Sequence, residues 1–179
     1  MIVGLDNAGK TTLLEKLKSL NNMRSIKAER IVPTIGLNIA KISRPEGEYI
    51  FWDLGGQESL RKIWNKYFEE ADAIVYVIDG ADEDRFEEAK TTLKNLMEEP
   101  MLEDLPHLIL LNKSDLEGFK GVEYISDKMK LYSLRCDEYI MLPISALKEK
   151  GITSSMNWIM ETIKSKNMQK GSKKLEENV

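Results

Sequence analysis

Residues 4–11 read Gly-Leu-Asp-Asn-Ala-Gly-Lys-Thr and fit the pattern G-x-x-x-x-G-K-[ST] in full. The two glycines let the backbone fold closely around phosphate with successive N–H groups pointing inward. Apolar residues precede this loop, and Leu13, Leu14, Leu17 and Leu20 follow it at helical spacing. An apolar run, a glycine-rich loop and a helix in this order favour a phosphate-binding α/β fold over a chance match.

We predict that this loop binds a nucleotide through its backbone and side chains. Lys10 would reach the β- and γ-phosphates and take part in catalysis, and Thr11 would offer its hydroxyl to Mg²⁺. The helix beginning near Lys10 adds its positive N-terminal end. The motif alone does not separate ATP from GTP, or hydrolysis from kinase chemistry. The nucleotide-binding candidates here are Asp6, Asn7, Ala8, Gly9, Lys10, Thr11 and Thr12.

A second candidate segment is the apolar run 49–53, which ends in Asp53 and continues as Leu-Gly-Gly-Gln. A carboxylate at the carboxyl end of a strand lies in the crevice where open α/β sheets bind ligands. Asp53 is therefore predicted to help hold Mg²⁺, through a water molecule. Gly56 leaves a backbone N–H free to bond the γ-phosphate, and Gln57 can orient the attacking water. By itself this segment is also an ordinary turn after a strand, and the upstream phosphate loop decides for the functional interpretation.

Thr34, in the segment Pro-Thr-Ile-Gly at 33–36, lies between the first helix and the next apolar runs. Its hydroxyl can bind Mg²⁺ and its backbone N–H can bond the γ-phosphate, so we predict a metal-binding and catalytic role. A plain loop threonine is the alternative, and the prediction depends on the neighbouring motifs.

The third motif, Asn-Lys-Ser-Asp at 112–115, follows the apolar run 108–111. Asp115 can accept two hydrogen bonds from guanine, which adenine does not offer, and sites of this kind reject the wrong partner by about 10⁴–10⁵. The stem of Lys113 can lie across the base plane. Asn112 can tie this loop to the phosphate loop.

One more base-binding segment follows the apolar run 139–144, and there the backbone N–H of Ala146 is predicted to meet guanine O6. Asn-Lys-x-Asp is weak alone, but its place after the other two motifs decides for GTP over ATP. The residues of this last segment are Ser145, Ala146 and Leu147.

Short apolar runs at 73–78, 108–111 and 139–144 alternate with segments of helical periodicity. This alternation predicts βαβ units and a mostly parallel sheet covered by helices on both faces. The predicted helix faces are Phe86, Ala89, Leu93 and Leu96; Val122, Ile125, Met129 and Tyr132; and Ile152, Met156, Ile159 and Ile163.

An antiparallel hairpin is predicted nearer the start, where runs 37–42 and 49–54 are joined through Pro45 and Gly47. The chain opens with Met-Ile-Val directly before the phosphate loop. Strands usually have about 5–6 residues, so we expect residues to be missing upstream.

Composition limits the class of protein. The 179 residues fit one domain, which we assign to 1–166, with a polar and flexible tail at 167–179. The formal net charge of −4 gives no basic footprint for nucleic acid. Cys136 is the single cysteine, which excludes an internal disulfide. The sequence contains no run of 18 apolar residues, so no membrane span is predicted. His107 follows Pro106 at the start of a predicted strand and is predicted to be a surface or loop histidine, not a catalyst.

These motifs resemble the ADP-ribosylation factor (Arf and Arf-like) family of small GTPases. The likeness is carried by residues 4–12, 33–38, 52–58 and 112–115. A long segment between the first helix and Thr34, and Leu in place of Phe at position 37, are similar to the ADP-ribosylation factor-related protein branch.

The resemblance implies a P-loop NTPase fold with a six-stranded sheet, and GTP or GDP with Mg²⁺ as the bound cofactors. It implies a slow GTP hydrolase and monomer, with switch segments near 31–38 and 55–67 that are ordered by the γ-phosphate. No Arg lies in 33–38, so an activating protein is expected to supply one. Exchange factor, activating protein and effectors would bind the switches and an apolar patch at Leu37, Trp52 and Tyr67, with core packing the alternative for the last two. Further candidates for this surface are Ile63, Trp64 and Phe68.

The resemblance also implies a cytoplasmic protein that cycles to Golgi or other internal membranes in vesicle trafficking, attached through an N-terminal segment that precedes Met1. Two other functions stay open. One is a scaffold that binds nucleotide without turnover, which has no need of Gln57. The other is a nucleotide kinase, against which the Asn-Lys-x-Asp motif speaks.

Overall fold

The computed structural model describes residues 1–45, 47–133 and 139–176 and contains a six-stranded sheet. Its strand order is β2-β3-β1-β4-β5-β6, in which β2 and β3 are antiparallel and all other neighbours are parallel. The predicted mostly parallel sheet with an antiparallel hairpin is confirmed. The strands are β1 Ile2–Val3, β2 Leu37–Arg44, β3 Gly47–Leu54, β4 Ile74–Asp79, β5 His107–Asn112 and β6 Tyr139–Pro143.

Helices connect the strands and cover both faces of the sheet. The α-helices are α1 Lys10–Leu20, α2 Glu58–Arg61, α3 Phe86–Met97, α4 Val122–Met129 and α5 Ile152–Glu176. Short 3-10 helices lie at Ala28–Arg30, Trp64–Tyr67, Glu83–Arg85, Pro100–Leu102 and Leu131–Ser133. Because α5 continues to Glu176, residues 167–176 are helical, and the flexibility of this tail stays a prediction. No helix among the described residues is both long enough and apolar enough to cross a bilayer.

The core lies in two layers because strand side chains alternate between the faces of the sheet. In β4, Val75 and Val77 pack with α1 and α5, whereas Tyr76 and Ile78 pack with α3 and α4. All six residues of β5 are buried. This burial on both faces explains why the central strands are continuous apolar runs in the sequence.

The helix face predicted at Val122, Ile125, Met129 and Tyr132 is wrong at its last position. The helix α4 ends at Met129 because Lys130 has a left-handed backbone with φ of +52°. Tyr132 therefore lies beyond the helix with 64% of its surface exposed. Leu131 packs into the core beside α4 instead.

His107 begins β5, so its predicted place at a strand start is confirmed, but it is only 2% exposed and its assignment to the surface or to a loop is wrong. It is paired between Ile74 and Tyr139 on the neighbouring strands. Burial lowers the pKa of His107, although a hydrogen-bonding contact of 2.8 Å between Nδ1 and Leu105 O opposes this. Cys136 and Glu46 lie outside the described residues.

The sheet brings the three sequence motifs to one edge. The parallel strands β1, β3, β4 and β5 all point the same way, so the loops that follow them meet at the carboxyl edge of the sheet. These loops contain the phosphate-loop motif, the Asp-Leu-Gly-Gly-Gln segment and the Asn-Lys-Ser-Asp motif.

Candidate functional site

The phosphate loop connects β1 to α1. Its last glycine, Gly9, is required for two reasons. Gly9 has φ of +92°, in the left-handed region, and a Cβ built there would lie 2.3 Å from Asn112 Nδ2. Both the backbone conformation and the space therefore exclude a side chain. Among the described residues, no side chain caps α1, so the N–H groups of its first turn are available to an anion.

The ammonium group of Lys10 is buried inside this loop. Lys10 is 5% exposed, and its Nζ donates a hydrogen bond to Leu5 O at 2.6 Å. Burial lowers the pKa of Lys10 to about 8, against the opposing charges of Asp53 and Asp6. Phosphate oxygens would favour the charged form of Lys10. A bound polyanion would therefore stabilise this buried ammonium group and raise its pKa again.

The three predicted metal ligands meet at the end of β3. Thr11 Oγ1 donates to Asp53 Oδ2 at 2.7 Å and lies 2.8 Å from Thr34 Oγ1. Asn38 Nδ2 also donates to Asp53 Oδ2, at 3.1 Å. The parallel pairing that sets Ile2 opposite Asp53 brings the carboxylate next to the phosphate loop. The structure therefore assembles two hydroxyls and one carboxylate from three separate segments.

The other carboxylate oxygen, Asp53 Oδ1, fits a cation. It is buried and has no hydrogen-bond partner in the described part of the chain. Burial raises the pKa of Asp53, and the hydrogen bonds from Thr11 and Asn38 offset this only in part. Mg²⁺ prefers oxygen ligands and commonly binds through one or two carboxylates together with substrate phosphates. The residues present therefore fit a magnesium ion that arrives with a nucleotide.

Gly56 and Gln57 follow β3 and border the same cleft. A Cβ on Gly56 would lie 2.4 Å from Gly4 O and 2.5 Å from Asp6 N, so any side chain at 56 would push the two loops apart. Gln57 is exposed and comes directly before α2. Gln57 also lines the cleft, and its role in orienting a water molecule stays a prediction.

The base-side loops are joined by Asn112. Its Nδ2 donates to Ala8 O at 2.7 Å, and its Oδ1 accepts from Ala146 N at 2.9 Å. Asn112 is 2% exposed, so one buried amide links three loops, and the structure agrees with the predicted tie to the phosphate loop. The N–H of Ala146 is committed to Asn112 here, and its contact with guanine O6 stays a prediction.

Of the other base-side residues, Lys113 and Asp115 keep polar groups near solvent. Lys113 Nζ pairs with Asp79 Oδ2 at 2.5 Å, and Asp115 is exposed. Ser145 is buried and its Oγ accepts from Lys148 N at 3.0 Å, whereas Leu147 is 48% exposed. Asp115 therefore has an accessible carboxylate, and its role in base selection stays a prediction.

A cleft of about 280 Å³ joins the phosphate, metal and switch residues. A larger cavity of about 650 Å³ lies between β3 and α5 and touches none of the residues predicted to bind phosphate, metal or base. The predicted residues that line the smaller cleft are Asp6, Asn7, Gly9, Lys10, Thr11, Thr12, Thr34, Gly56, Gln57 and Lys113.

The predicted partner surface is only partly present. Leu37, Trp52 and Tyr67 are each half-buried, and the rings of Trp52 and Tyr67 meet edge-to-face with centroids 5.5 Å apart. Trp64 and Phe68 are 4% and 5% exposed, so their assignment to an exposed surface is wrong. Trp64 turns inward, where its Nε1 donates to Gly55 O at 3.0 Å.

Sequence reasoning missed several residues of the site. Asn38, which ends one of the sequence motifs, contacts the predicted metal ligand Asp53, and Asp79 contacts Lys113. Asp79 ends β4, so the rule for carboxylates at strand ends applies to it as well. Arg61 also reaches the site, where its Nε donates to Gly56 O at 2.7 Å, and no pattern in the sequence indicates this.

Comparison with known families identifies this arrangement. A family model described as "ADP-ribosylation factor family" matches residues 1–163. This chain belongs to the ADP-ribosylation factor family. Arf-family small GTPases bind guanine nucleotide and are in general GTP hydrolases. The family predicted from the motifs is confirmed.

Individual relatives agree with this assignment. ADP-ribosylation factor-like protein 3 of Chlamydomonas reinhardtii is 37% identical over 164 residues, covering 92% of this chain and 89% of the relative. ADP-ribosylation factor-related protein 1 of Rattus norvegicus is 34% identical over 167 residues, covering 91% and 83%. Among solved structures, the Arl6 BBS3 small GTPase from Trypanosoma brucei with bound GppNp matches with a TM-score of 0.80 at 25% identity, covering 92% of this chain and 96% of that one.

Nucleotide binding to this Arf-family protein should take up a proton at alkaline pH. The pKa of Lys10 in the free protein is about 8, and phosphate oxygens raise it, so binding at about pH 9 should take up as much as about one proton. Affinity should correspondingly fall as the pH rises above about 8. Calorimetry in two buffers with different ionisation heats measures the uptake. Zero uptake at both neutral and alkaline pH would contradict the assignment of Lys10.

Replacing Asn112→Ala should raise the nucleotide dissociation rate about 10- to 100-fold. The change leaves Ala8 O and Ala146 N buried and unpaired, at a cost of about 1–3 kcal/mol for each group. Release of a fluorescent guanosine diphosphate measures the rate. Asn157→Ala, an exposed position, serves as the matched control and should dissociate as the parent does. Equal rates in all three proteins would refute the loop-joining role.

Proposed function

We propose that this Arf-family protein is a GTP/GDP switch that binds guanine nucleotide with Mg²⁺, hydrolyses GTP slowly and recruits effectors in vesicle and Golgi trafficking. One observation carries the proposal: Thr34, from the segment between α1 and β2, meets Thr11 and Asp53 through hydroxyl contacts. The position of that segment would therefore change with what binds at Thr11, Thr34 and Asp53.

The phosphate end of the site provides the binding energy. The uncapped start of α1 and the buried Lys10 face the cleft, and both favour an anion. Mg²⁺, held by Thr11, Thr34 and Asp53, would supply positive charge at the β- and γ-phosphates. A triphosphate would hold Thr34 and Gly56 at the same time, and loss of the γ-phosphate would release both.

The hydrolytic step would depend on Gln57, which orders a water molecule opposite the γ-phosphate. The segment 33–38 contains no arginine, so positive charge beyond Lys10 and Mg²⁺ would come from an activating protein, worth about 10³–10⁵ in rate. Arg24 and Arg30 lie nearby but are exposed. Slow turnover by the isolated protein follows from this arrangement.

Partners would read the state of the two switches. The half-buried patch of Leu37, Trp52 and Tyr67 lies on the hairpin and after α2, so movement of either element changes its shape. Effectors, an exchange factor and an activating protein are proposed to bind there. The family suggests a monomeric cytoplasmic protein that reaches Golgi or other internal membranes through an N-terminal segment.

Base selection by Asp115 is the first test of the proposal. In Mg²⁺-containing buffer the protein should bind GDP at least about 10³-fold more tightly than ADP, because adenine leaves Asp115 unsatisfied. Asp115→Ala should remove most of that preference and leave the phosphate contacts intact. Competition against a fluorescent nucleotide measures both. Equal affinities for GDP and ADP in the parent protein would end the guanine assignment and revive the kinase alternative.

Gln57→Leu separates a switch that turns over from a passive scaffold. The variant should bind GTP as the parent does but hydrolyse it about 10- to 100-fold more slowly, because leucine cannot orient water. Single-turnover hydrolysis with and without an activating protein gives the rates. A parent protein that binds GTP tightly but hydrolyses it no faster than Gln57→Leu would support the scaffold instead.

A further inference from the structure

Four charged side chains form a cluster beside the phosphate loop. Arg85 Nη2 donates to Asp6 Oδ1 at 2.8 Å and Arg85 Nε donates to Glu88 Oε2 at 3.0 Å. Arg61 Nη2 donates to the other oxygen of Glu88 at 2.6 Å and lies 3.8 Å from Asp6 Oδ1. Two carboxylates and two guanidinium groups thus alternate, from the phosphate loop to α3 and on to α2.

Arg61 is the member that touches the segment after β3. Its Nε donates to Gly56 O at 2.7 Å, while its Nη2 holds Glu88. Its side chain is 15% exposed, so the guanidinium is much less screened by solvent than an ordinary surface arginine. Because the guanidinium is planar, fixing one edge on Glu88 also fixes the nitrogen that bonds Gly56.

The position of Gly56 determines where the backbone places Gln57, the residue that follows it. Gly56 lies so close to the phosphate loop that a Cβ built on it would meet Gly4 O at 2.4 Å, and it directly precedes Gln57. Its carbonyl is bonded from α2 by Arg61, and the carbonyl of Gly55 is bonded by Trp64 Nε1 at 3.0 Å. Two side chains from the segment that follows therefore hold the backbone from which Gln57 projects.

The charges of the cluster support one another. The pKa of Glu88 lies below its usual range because of hydrogen bonds from Arg85 and then Arg61. For Asp6, burial alone would raise the pKa, but the hydrogen bond and charge of Arg85 lower it overall. Both carboxylates are therefore held in their charged form, and the phosphate-loop carboxylate is directed to Arg85.

We propose that Arg61, anchored on Glu88, is a positioning residue that holds Gly56 and Gln57 against the phosphate loop when a triphosphate is bound. This inference rests on the proposed function. Arg61 acts through the backbone of Gly56 and through Gln57. Its contribution is selective for the triphosphate, since a diphosphate has no γ-phosphate for Gly56 or Gln57 to serve.

The test compares Arg61→Gln with Arg61→Lys, Glu88→Gln and the control Lys94→Gln. Lys94 lies on α3 in an exposed ion pair with Glu98, so its replacement removes one cation without touching the cluster. Each protein is loaded with Mg²⁺ and GTP, and single-turnover hydrolysis and the ratio of GTP to GDP affinity are measured. Thermal unfolding of the GDP-bound forms reports whether the variants fold.

Arg61→Gln should hydrolyse GTP about tenfold more slowly and lose about tenfold in the GTP-to-GDP affinity ratio, because a charge-assisted hydrogen bond to Gly56 is lost. GDP affinity should stay within about twofold. Arg61→Lys should recover little, since an ammonium group does not reproduce the two-edged contact. Glu88→Gln should shift in the same direction, and combining it with Arg61→Gln should add less than the sum.

Three outcomes would overturn the positioning role. Parent-like hydrolysis and affinity ratio in a folded Arg61→Gln variant is the first. Equal losses for GDP and GTP would make Arg61 a general structural residue, and equal effects in Lys94→Gln would reduce it to net charge. A parent protein that binds guanosine nucleotides normally while Arg61→Gln changes nothing sinks this inference alone. A parent that does not prefer guanosine nucleotides sinks the proposed function and this inference together.

Discussion

One buried amide, the side chain of Asn112, holds together the three loops from which the cleft is built. It donates to the phosphate loop at Ala8 O and accepts from Ala146 N beyond β6. Its position also leaves no room for a side chain at Gly9. The phosphate loop therefore has its shape only when β1, β5 and β6 are in register, so the phosphate site cannot be complete until the sheet is.

Burial of opposite charges prepares the cleft for its ligands. Burial lowers the pKa of Lys10 and raises the pKa of Asp53, so each group is less stable in its charged form than it would be in water. A bound phosphate would stabilise the charged form of Lys10, and a bound cation would stabilise the charged form of Asp53. Groups that the fold has already desolvated would therefore favour charged ligands.

The mobile parts of the proposed switch are held much less firmly than the sheet. β4 and β5 are buried on both faces. Thr34, in contrast, is held through hydroxyl contacts with Thr11 and Asp53, and α2 has only four residues. Segments with few buried apolar contacts open at lower free energy than core strands. Small changes at Thr11, Thr34 and Asp53 or at Gly56 can therefore shift these segments without disturbing the core. The contact of Arg61 with Gly56 lies between these segments and the core.

Short segments of the sequence, taken one at a time, predict much of the fold and of the phosphate site. The phosphate loop lies in eight consecutive residues, and the apolar runs that became β4, β5 and β6 are long enough to be recognised one at a time. Only the tertiary structure determines the contacts between distant residues. Asn38 donates a hydrogen bond to Asp53, Lys113 pairs with Asp79, and Arg61 bonds both Gly56 and Glu88. The tertiary structure also decided which side of a segment faces inward, burying Trp64 and His107 and exposing Tyr132. Spacing along the chain specifies which residues share a face, but which face is covered depends on what packs against it, and that is settled only when the sheet and its helices come together.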